Sequence, residues 1–470
     1  MKLLEYFHGL RSPIIENFGI SFKHEFIKIE GRRLVAPILT YEGSKTKSVF
    51  NGKWSMGNSK FLEAPTPTKM NWAFLNLDST INEPTSKKCA SELVEIAKNQ
   101  GLYLNDNPIY MISKESIDND LKEIKSKNCK FALIILPDNG EFTYWKIKQV
   151  AELEAGVVTQ VITSNTIKNR WVASTINHVL LKLNSKLNGI NHKISPESNV
   201  QLIYKNYVMF VGADVTHPTP QDKGTPSVVG VVSSTDNSGC KYNMGHSYQK
   251  GRKEIIDDFK NIMIKHIRLY AKKNKGIPPT HIIYYRDGID DGQFDLVINE
   301  ELNKGMNQAF GEIAIQIKKP YNPKVTCIVV QKRNHTRFFP LEGGPSFGKM
   351  MNVFPGTVVD KVICHPKRKE FFLVSHESGL GTVKPTKYIV IRDDSNISMD
   401  DIHKITHNMC HLFPRCNREV SYPAPAYLAH HAASRGKAYI QDLKNFDLDD
   451  LNKNTIVSED IMENNPMFFI

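Results

Sequence analysis

Two unbroken apolar runs that each deliver an aspartate constrain this chain more than any other feature. Residues 207–213 form a strand-like apolar run that ends at Asp214, and residues 282–285 form another that continues through Arg286 to Asp287. Between them the pattern changes. Stretches 228–233 and 241–247 read as two more strands, and then Ile255, Ile256, Phe259, Ile262, Met263 and Ile267 recur at helical spacing, with Glu254 opening that helix. A second helical stretch over 294–309 and a strand over 325–330 complete the order βββαβαβ. Taken singly, each aspartate reads more readily as a turn residue than as a ligand, Asp287 above all because Asp-Gly is turn chemistry. Their occurrence at two strand ends favours a shared site.

That element order is the order of an RNase H-like sheet, in which the first and fourth strands lie side by side. Asp214 and Asp287 are therefore expected together at one sheet edge. Converging carboxylates of this kind suit hard divalent cations, which accept a few acidic oxygens and complete their shell with water and substrate phosphate. Two such ions about 3.5 to 4 Å apart can activate a water and stabilise a leaving oxygen in phosphodiester cleavage. Glu254 alone is unremarkable, since an acid at a helix start is favoured by the helix dipole. His430 and His431 are adjacent in Pro-Ala-Pro-Ala-Tyr-Leu-Ala-His-His, and the residues alone do not say which is functional.

Upstream, the first 70 residues carry Gly31, Pro37, Gly43, Gly52, Gly57, Pro65 and Pro67 among short apolar pieces, the pattern of an extended connector packed on something larger. From 71 to 197 a strand over 72–77, a helix over 89–99, a buried strand over 131–136 and helices over 146–154 and 175–187 read as a small α/β domain. The Asp/Asn-rich stretch 446–454 reads as a solvated loop. Lys and Arg outnumber Asp and Glu by 61 to 49, giving +12, a balance that favours an extended polyanion as partner. Seven scattered cysteines form no disulfide framework. Apolar runs such as 131–136 fall far short of the roughly 20 residues of a membrane span. The opening MKLLEYFHGL, broken by Glu5 and His8, makes a poor signal peptide. Cytoplasm or nucleus is the expected compartment.

Five segments, in order, resemble the Argonaute family: GADVTHP at 212–218; YRDG at 285–288 with GQF at 292–294; VVQKRNHTR at 329–337; PGTVVD at 355–360; and SYPAPAY at 421–427. The resemblance covers almost the whole chain. It implies a linker like the one after the PAZ domain over 1–70, a Rossmann-like MID domain over 71–197 and an RNase H-like PIWI domain over 198–470, without N or PAZ domains.

By this resemblance Asp214, Glu254, Asp287 and His430 form a catalytic tetrad, with Asp214, Asp287 and His430 on two Mg²⁺ or Mn²⁺ ions. His430 is the matching histidine because it stands three residues after Tyr427. The resemblance also implies a pocket for the 5′ phosphate of a guide RNA built from Tyr144, Lys148, Gln160, Lys182, Lys186 and Arg435. Tyr144 and Lys148, like Lys182 and Lys186, are spaced i, i+4, so each pair can share a helix face. The tyrosine ring can stack on a base while amines hold phosphate. Lys332, Arg333, His335, Arg337, Arg415, Arg418, Ser421 and Tyr427 resemble guide-backbone contacts, which read charge and geometry and leave target choice to base pairing. The implied partners are a small guide RNA, a complementary target RNA, glycine-tryptophan-repeat silencing proteins and Dicer-type loading factors. Two readings follow: an RNA-guided endoribonuclease acting in RNA silencing, or a non-cleaving or truncated guide-binding module that recruits partners.

His403, His407, Cys410, His411 and Cys416 have the spacing of a zinc cluster, but a helix accounts for them. Ser398 with Asp401 makes an N-cap signature, and Ile402, Ile405, Met409 and Leu412 form a buried stripe that leaves His403 and His407 on another face.

Overall fold

In the computed structural model β1 (Arg32–Arg33), β2 (Ile38–Thr40) and β3 (Thr46–Ser48) come first, and they pair partly with later parts of the chain. β1 pairs antiparallel with a strand at residues 357–358, and β2 sits between β3 and β8 (Lys193–Ile194). The described residues are 17–19, 25–65, 69–113, 116–222, 224–348, 351–443 and 447–470. The opening ten residues and parts of the connector (11–16, 20–24 and 66–68) therefore lie outside them, as does residue 446.

The small α/β unit is a parallel sheet in the order β5-β4-β6-β7, formed by β4 (Trp72–Asn76), β5 (Ile109–Ile112), β6 (Phe131–Leu136) and β7 (Val158–Thr163). Successive strand residues face opposite sides, and both sides are buried, which explains the continuous apolar runs. Trp72, Phe74, Phe131, Leu133 and Ile135 pack with the helices Glu83–Asn99 and Ala173–Lys186. Ala73, Leu75, Ala132 and Ile134 pack instead with the helices Ile117–Ser126 and Glu141–Gln149. The helix expected over 146–154 thus begins earlier, at Glu141, and its end widens into a π-helical turn, Val150–Ala155.

The larger sheet has nine strands in the order β1-β14-β15-β16-β13-β12-β9-β10-β11. They are β9 (Val208–Thr216), β10 (Ser227–Ser234), β11 (Tyr242–Gln249), β12 (His281–Asp287), β13 (Lys324–Gln331), β14 (Thr357–Val359), β15 (Glu370–Val374) and β16 (Thr386–Asp393), with β1 at one edge. β12 runs parallel to both β9 and β13, so the first and fourth strands of the βββαβαβ series are neighbours and the fold is RNase H-like. Met209, Val211, Ala213, Ile282 and Tyr284 face the helices Phe259–Lys273 and Asn307–Ile317. Val208, Phe210, Ile283 and Tyr285 face the other side, under the helices Met399–Met409 and Ala424–Tyr439. The two-residue period therefore sends Asp214 and Asp287 to the Ala424–Tyr439 side and Arg286 to the opposite one.

Three local expectations need correction. The helix after β11 begins at Phe259, so Glu254 lies in the preceding loop. Side chains satisfy that loop's backbone instead: Gln249 donates to the carbonyls of Lys253 and Ile255 and accepts from the Asp257 N–H, while the Ile256 N–H donates to Glu301. The helix expected over 294–309 runs on to Ile317 and contains a long π-helical stretch, Val297–Met306. The Asp/Asn-rich stretch forms a short helix, Leu448–Asn454, because Asp447 accepts from the Asp450 N–H and caps it.

Candidate functional site

Asp214 and Asp287 stand at the ends of adjacent parallel strands, on the same face. Gly288 follows Asp287 with φ +87°, a left-handed turn, and a Cβ there would lie 3.1 Å from Glu254 Oε1 and 3.8 Å from Asp214 Oδ1. Three acids far apart in sequence thus surround one glycine. The fourth group descends from the Ala424–Tyr439 helix, where His430 Nδ1 meets Asp214 Oδ2 at 2.8 Å. Burial, and then the charge of Asp214, push the Asp287 carboxyl up to about 7. The hydrogen bond to Asp214 raises His430 above the usual imidazole value.

That helix reaches the sheet because two glycines let it. A Cβ on Gly212 of β9 would lie 2.0 Å from the Pro425 carbonyl oxygen, and one on Gly230 of β10 would lie 2.3 Å from that of Ala429. Backbone touches backbone here, and His430 is set beside Asp214 as a result.

Glu254 is held from both sides. Its Oε1 accepts from Arg286 at 2.9 Å, its backbone carbonyl accepts from the same guanidinium, and its Oε2 lies 2.6 Å from His217 Nε2, whose Nδ1 bonds Ser227. Arg286 is fully buried and grips a second acid, Glu301, which also accepts from the Tyr284 hydroxyl at 2.8 Å. Glu301 enters from the π-helical stretch Val297–Met306. Sequence reasoning left Arg286, His217 and Glu301 without a role; the Arg inside Tyr-Arg-Asp-Gly, alternating in face with its neighbours, was the available signal.

A second site opens where the α/β unit meets the Ala424–Tyr439 helix. A cavity of about 560 Å³ is lined by all of Tyr144, Lys148, Gln160, Lys182, Lys186 and Arg435. Lys148 donates to the Thr159 hydroxyl at 2.6 Å, and Lys186 donates to the Thr159 carbonyl at 2.9 Å. Burial, then Arg415 and Lys148, push Lys182 down to about 8, and burial and neighbouring cations lower Lys148 and Lys186 too. Cations crowded and desolvated in this way are a receptor for a compact anion. Arg435 lines the pocket from the Ala424–Tyr439 helix. It is tied to Glu152 and to the Phe469 carbonyl, so only part of its fork is free for a ligand. Glu152 sits in the π-helical turn Val150–Ala155, binds the Tyr439 hydroxyl at 2.7 Å and lies 3.8 Å from Lys148. Both sites therefore use a buried glutamate from a widened helix to fix a buried arginine. Trp145, Arg415, His431, Phe469 and Ile470 also line the cavity. Arg415 donates to His431 at 3.0 Å, so the neighbour of His430 serves this site while His430 serves the acids.

The remaining candidates lie in the loop after β13 and in the segment leading into the first turn of the Ala424–Tyr439 helix. Lys332, Arg333 and His335 are exposed just beyond β13, and the Lys332 amine lies 4.4 Å from the centre of the Tyr422 ring. Arg337 is turned inward, donating to the carbonyls of Asn334 and Thr336, because the loop needs those acceptors satisfied. Arg418 is exposed and Ser421 partly so. Tyr427 is enclosed in a stack between Tyr422 and Phe413, at 4.6 and 4.3 Å, which leaves its ring faces occupied. Among the described residues no helix is long and apolar enough to cross a membrane.

Comparison with known proteins identifies the family. A family model described as the Piwi domain matches residues 131–441. Argonaute-2 of Drosophila melanogaster is 41% identical over 479 residues, an alignment that takes in all of this chain and 38% of that protein, so the chain spans well under half the length of this relative. The crystal structure of Kluyveromyces polysporus Argonaute with a guide RNA superposes with a TM-score of 0.85 at 25% identity, covering 95% of this chain and 57% of that one. The C-terminal lobe of a budding yeast Argonaute gives 0.83 at 25% identity, covering 94% and 95%. The chain belongs to the Piwi-domain family of Argonaute proteins.

Proposed function

We propose that this chain holds a small guide RNA by its 5′ phosphate and cleaves complementary target RNA at the acids around Gly288. The observation that carries this reading is the meeting of Asp214, Glu254, Asp287 and His430 at one sheet edge, beside a buried cationic pocket. The donor set fits divalent cations: two neighbouring carboxylates, one of them driven toward its protonated form by burial and by the charge of the other, together with an imidazole. Asp214, Asp287 and His430 would hold Mg²⁺ or Mn²⁺, and two such ions, when bound, activate water and stabilise the leaving oxygen.

The protein's own groups do the positioning. Glu254, clamped by Arg286 and His217, presents a fixed acceptor that orients water at the site. Lys148, Lys182 and Lys186 hold the 5′ phosphate, Gln160 lines the pocket with an amide oxygen that has no protein partner while its nitrogen donates to the Val161 carbonyl, and Tyr144 stacks on the first base. Residues 71–197 then act as the guide-anchoring domain and residues 198–470 as the cutting domain, with 1–70 as linker. Lys332, Arg333, His335, Arg415 and Arg418 contact the guide backbone, and base pairing alone selects the target.

The test loads the chain with a synthetic 5′-phosphorylated guide and offers a labelled, matched RNA. A single cut that needs guide and Mg²⁺ and leaves a 5′ phosphate and a 3′ hydroxyl is expected. An intact target in both Mg²⁺ and Mn²⁺, with guide demonstrably bound, overturns the proposal.

A further inference from the structure

Two of the histidines whose spacing suggests a zinc cluster, His407 and His411, meet a glutamate from outside their helix. His407 and His411 lie one turn apart at the end of Met399–Met409, both buried, and face the buried Glu419, which comes from the segment following that helix. His407 Nε2 is 2.6 Å from Glu419 Oε1, His411 Nε2 is 3.4 Å from Oε2, and the three ligand atoms lie within 4.8 Å of one another.

Either a proton on the carboxyl or a bound cation must hold these three groups together. His411 Nδ1 sits 2.9 Å from the His407 carbonyl oxygen, which can only accept, so Nδ1 carries the proton and Nε2 turns a lone pair toward a carboxylate oxygen. His407 Nε2, His411 Nε2 and Glu419 Oε1 are all buried without a hydrogen-bond partner of acceptable geometry. A proton on Glu419 Oε2, with one on His407 Nε2, closes both contacts, whereas a cation closes them from a single centre.

We propose that His407, His411 and Glu419 bind one divalent cation of the zinc class, in a structural role. Two neutral imidazoles and a carboxylate are a known zinc donor set, and ligand distances of about 2.0 to 2.2 Å fit a cluster this tight after small side-chain shifts. Two glycines with positive φ leave the space: a Cβ on Gly52 would lie 3.3 Å from Glu419 Oε2, and one on Gly356 would lie 3.6 Å from His407 Nε2. Burial pushes His407 down to about 3 and His411 to about 4, so both are neutral near pH 7, and pushes Glu419 up to about 8, so a metal must displace its proton. Arg33, the cation whose charge is felt here, is occupied with Asn51 and the Phe354 ring. The cysteines suggested by spacing turn away: Cys410 Sγ donates to the Thr406 carbonyl and Cys416 Sγ to that of Arg418. His403 belongs to Arg32.

The site is closed to solvent, so the ion ties elements together. The Glu419 N–H donates to the Gly52 carbonyl at 2.8 Å, which joins the connector to the segment bearing Arg415, Arg418 and Ser421. A metal at Glu419 fixes that junction from the far side.

The experiment uses the full chain carrying Asp214→Ala and Asp287→Ala, so that the other acids hold no ion. After dialysis against metal-free buffer, elemental analysis is expected to find about one zinc per chain, and a strong chelator is expected to lower the melting temperature until Zn²⁺ is restored. Adding Glu419→Gln should reduce retained zinc at least tenfold and abolish the chelator effect. Equal zinc content with and without Glu419→Gln overturns the proposal in favour of a proton-sharing His-Glu network. Should Glu419→Gln fail to fold, Co²⁺ titration of the parent decides: visible d–d bands saturating near one equivalent support the site, and a spectrum of hexa-aqua Co²⁺ alone overturns it.

Discussion

His430 and Asp214 meet at 2.8 Å across 216 positions of the chain. Their contact depends on a helix lying on the sheet with backbone against backbone, at Gly212 and Gly230.

Gly212→Ala is therefore expected to push the Ala424–Tyr439 helix off β9, because its Cβ would sit 2.0 Å from a carbonyl oxygen that has no side-chain freedom to yield. A loss of about 1 to 3 kcal/mol is expected from overpacking of this kind, with cleavage falling more steeply than guide binding. Thermal unfolding and single-turnover rates check this; a variant with unchanged stability and rate would mean that the helix is not seated as described.

The carboxyl of Asp287, pushed up to about 7, has consequences with a definite sign. Below that pH the acid is protonated and a metal must displace the proton, so the Mg²⁺ concentration giving half-maximal cleavage should fall as pH rises from 6 to 8. In the metal-free chain the same shift makes the folded state the better proton binder. Its stabilising effect is present below the ordinary carboxylate range and is lost as pH rises toward 7. Asp287→Asn should flatten that slope in pH-dependent melting curves, and an unchanged slope would remove Asp287 as its source.

The sheet was legible because its strands are apolar on both faces and end on polar residues at regular points, so β6 spans the residues its run marks and β9 and β12 pair as their order implies. Of the site, Asp214 and Asp287 stand inside the segments that carry the family resemblance, while Glu254 and the pocket lysines were implied only by the resemblance as a whole. What stayed hidden depends on long-range pairing. Glu254 opens no helix, since Gln249 satisfies its loop, and nothing local marks Glu301 or Glu152 as partners for Arg286 and Arg435. Glu419 completes the histidine cluster from outside the helix whose spacing was read.

Arg286 is buried between Glu254 and Glu301, and Glu301 is buried as well. Arg286→Met should cost roughly 3 to 5 kcal/mol, because it leaves a buried carboxylate unpaired, and it should slow cleavage by freeing Glu254. Adding Glu301→Leu should recover much of the stability but not the rate. Recovery of both would show that Glu254 needs no clamp.

Lys182, pushed down to about 8, is largely uncharged above that pH, and a bound phosphate favours its charged form. Affinity for a 5′-phosphorylated guide should therefore fall between pH 7 and 9, more steeply than for a 5′-hydroxyl guide, and calorimetry near pH 8 should register proton uptake on binding. Lys182→Met should weaken the phosphorylated guide selectively. Equal slopes for the two guides would contradict the pocket assignment.

The single-turnover cleavage rate of guide-loaded Asp287→Asn decides whether the acids beside Gly288 do the cutting. A fall of about a thousandfold or more is expected, with guide and target affinity within about threefold of the parent. A rate within about tenfold of the parent would contradict it.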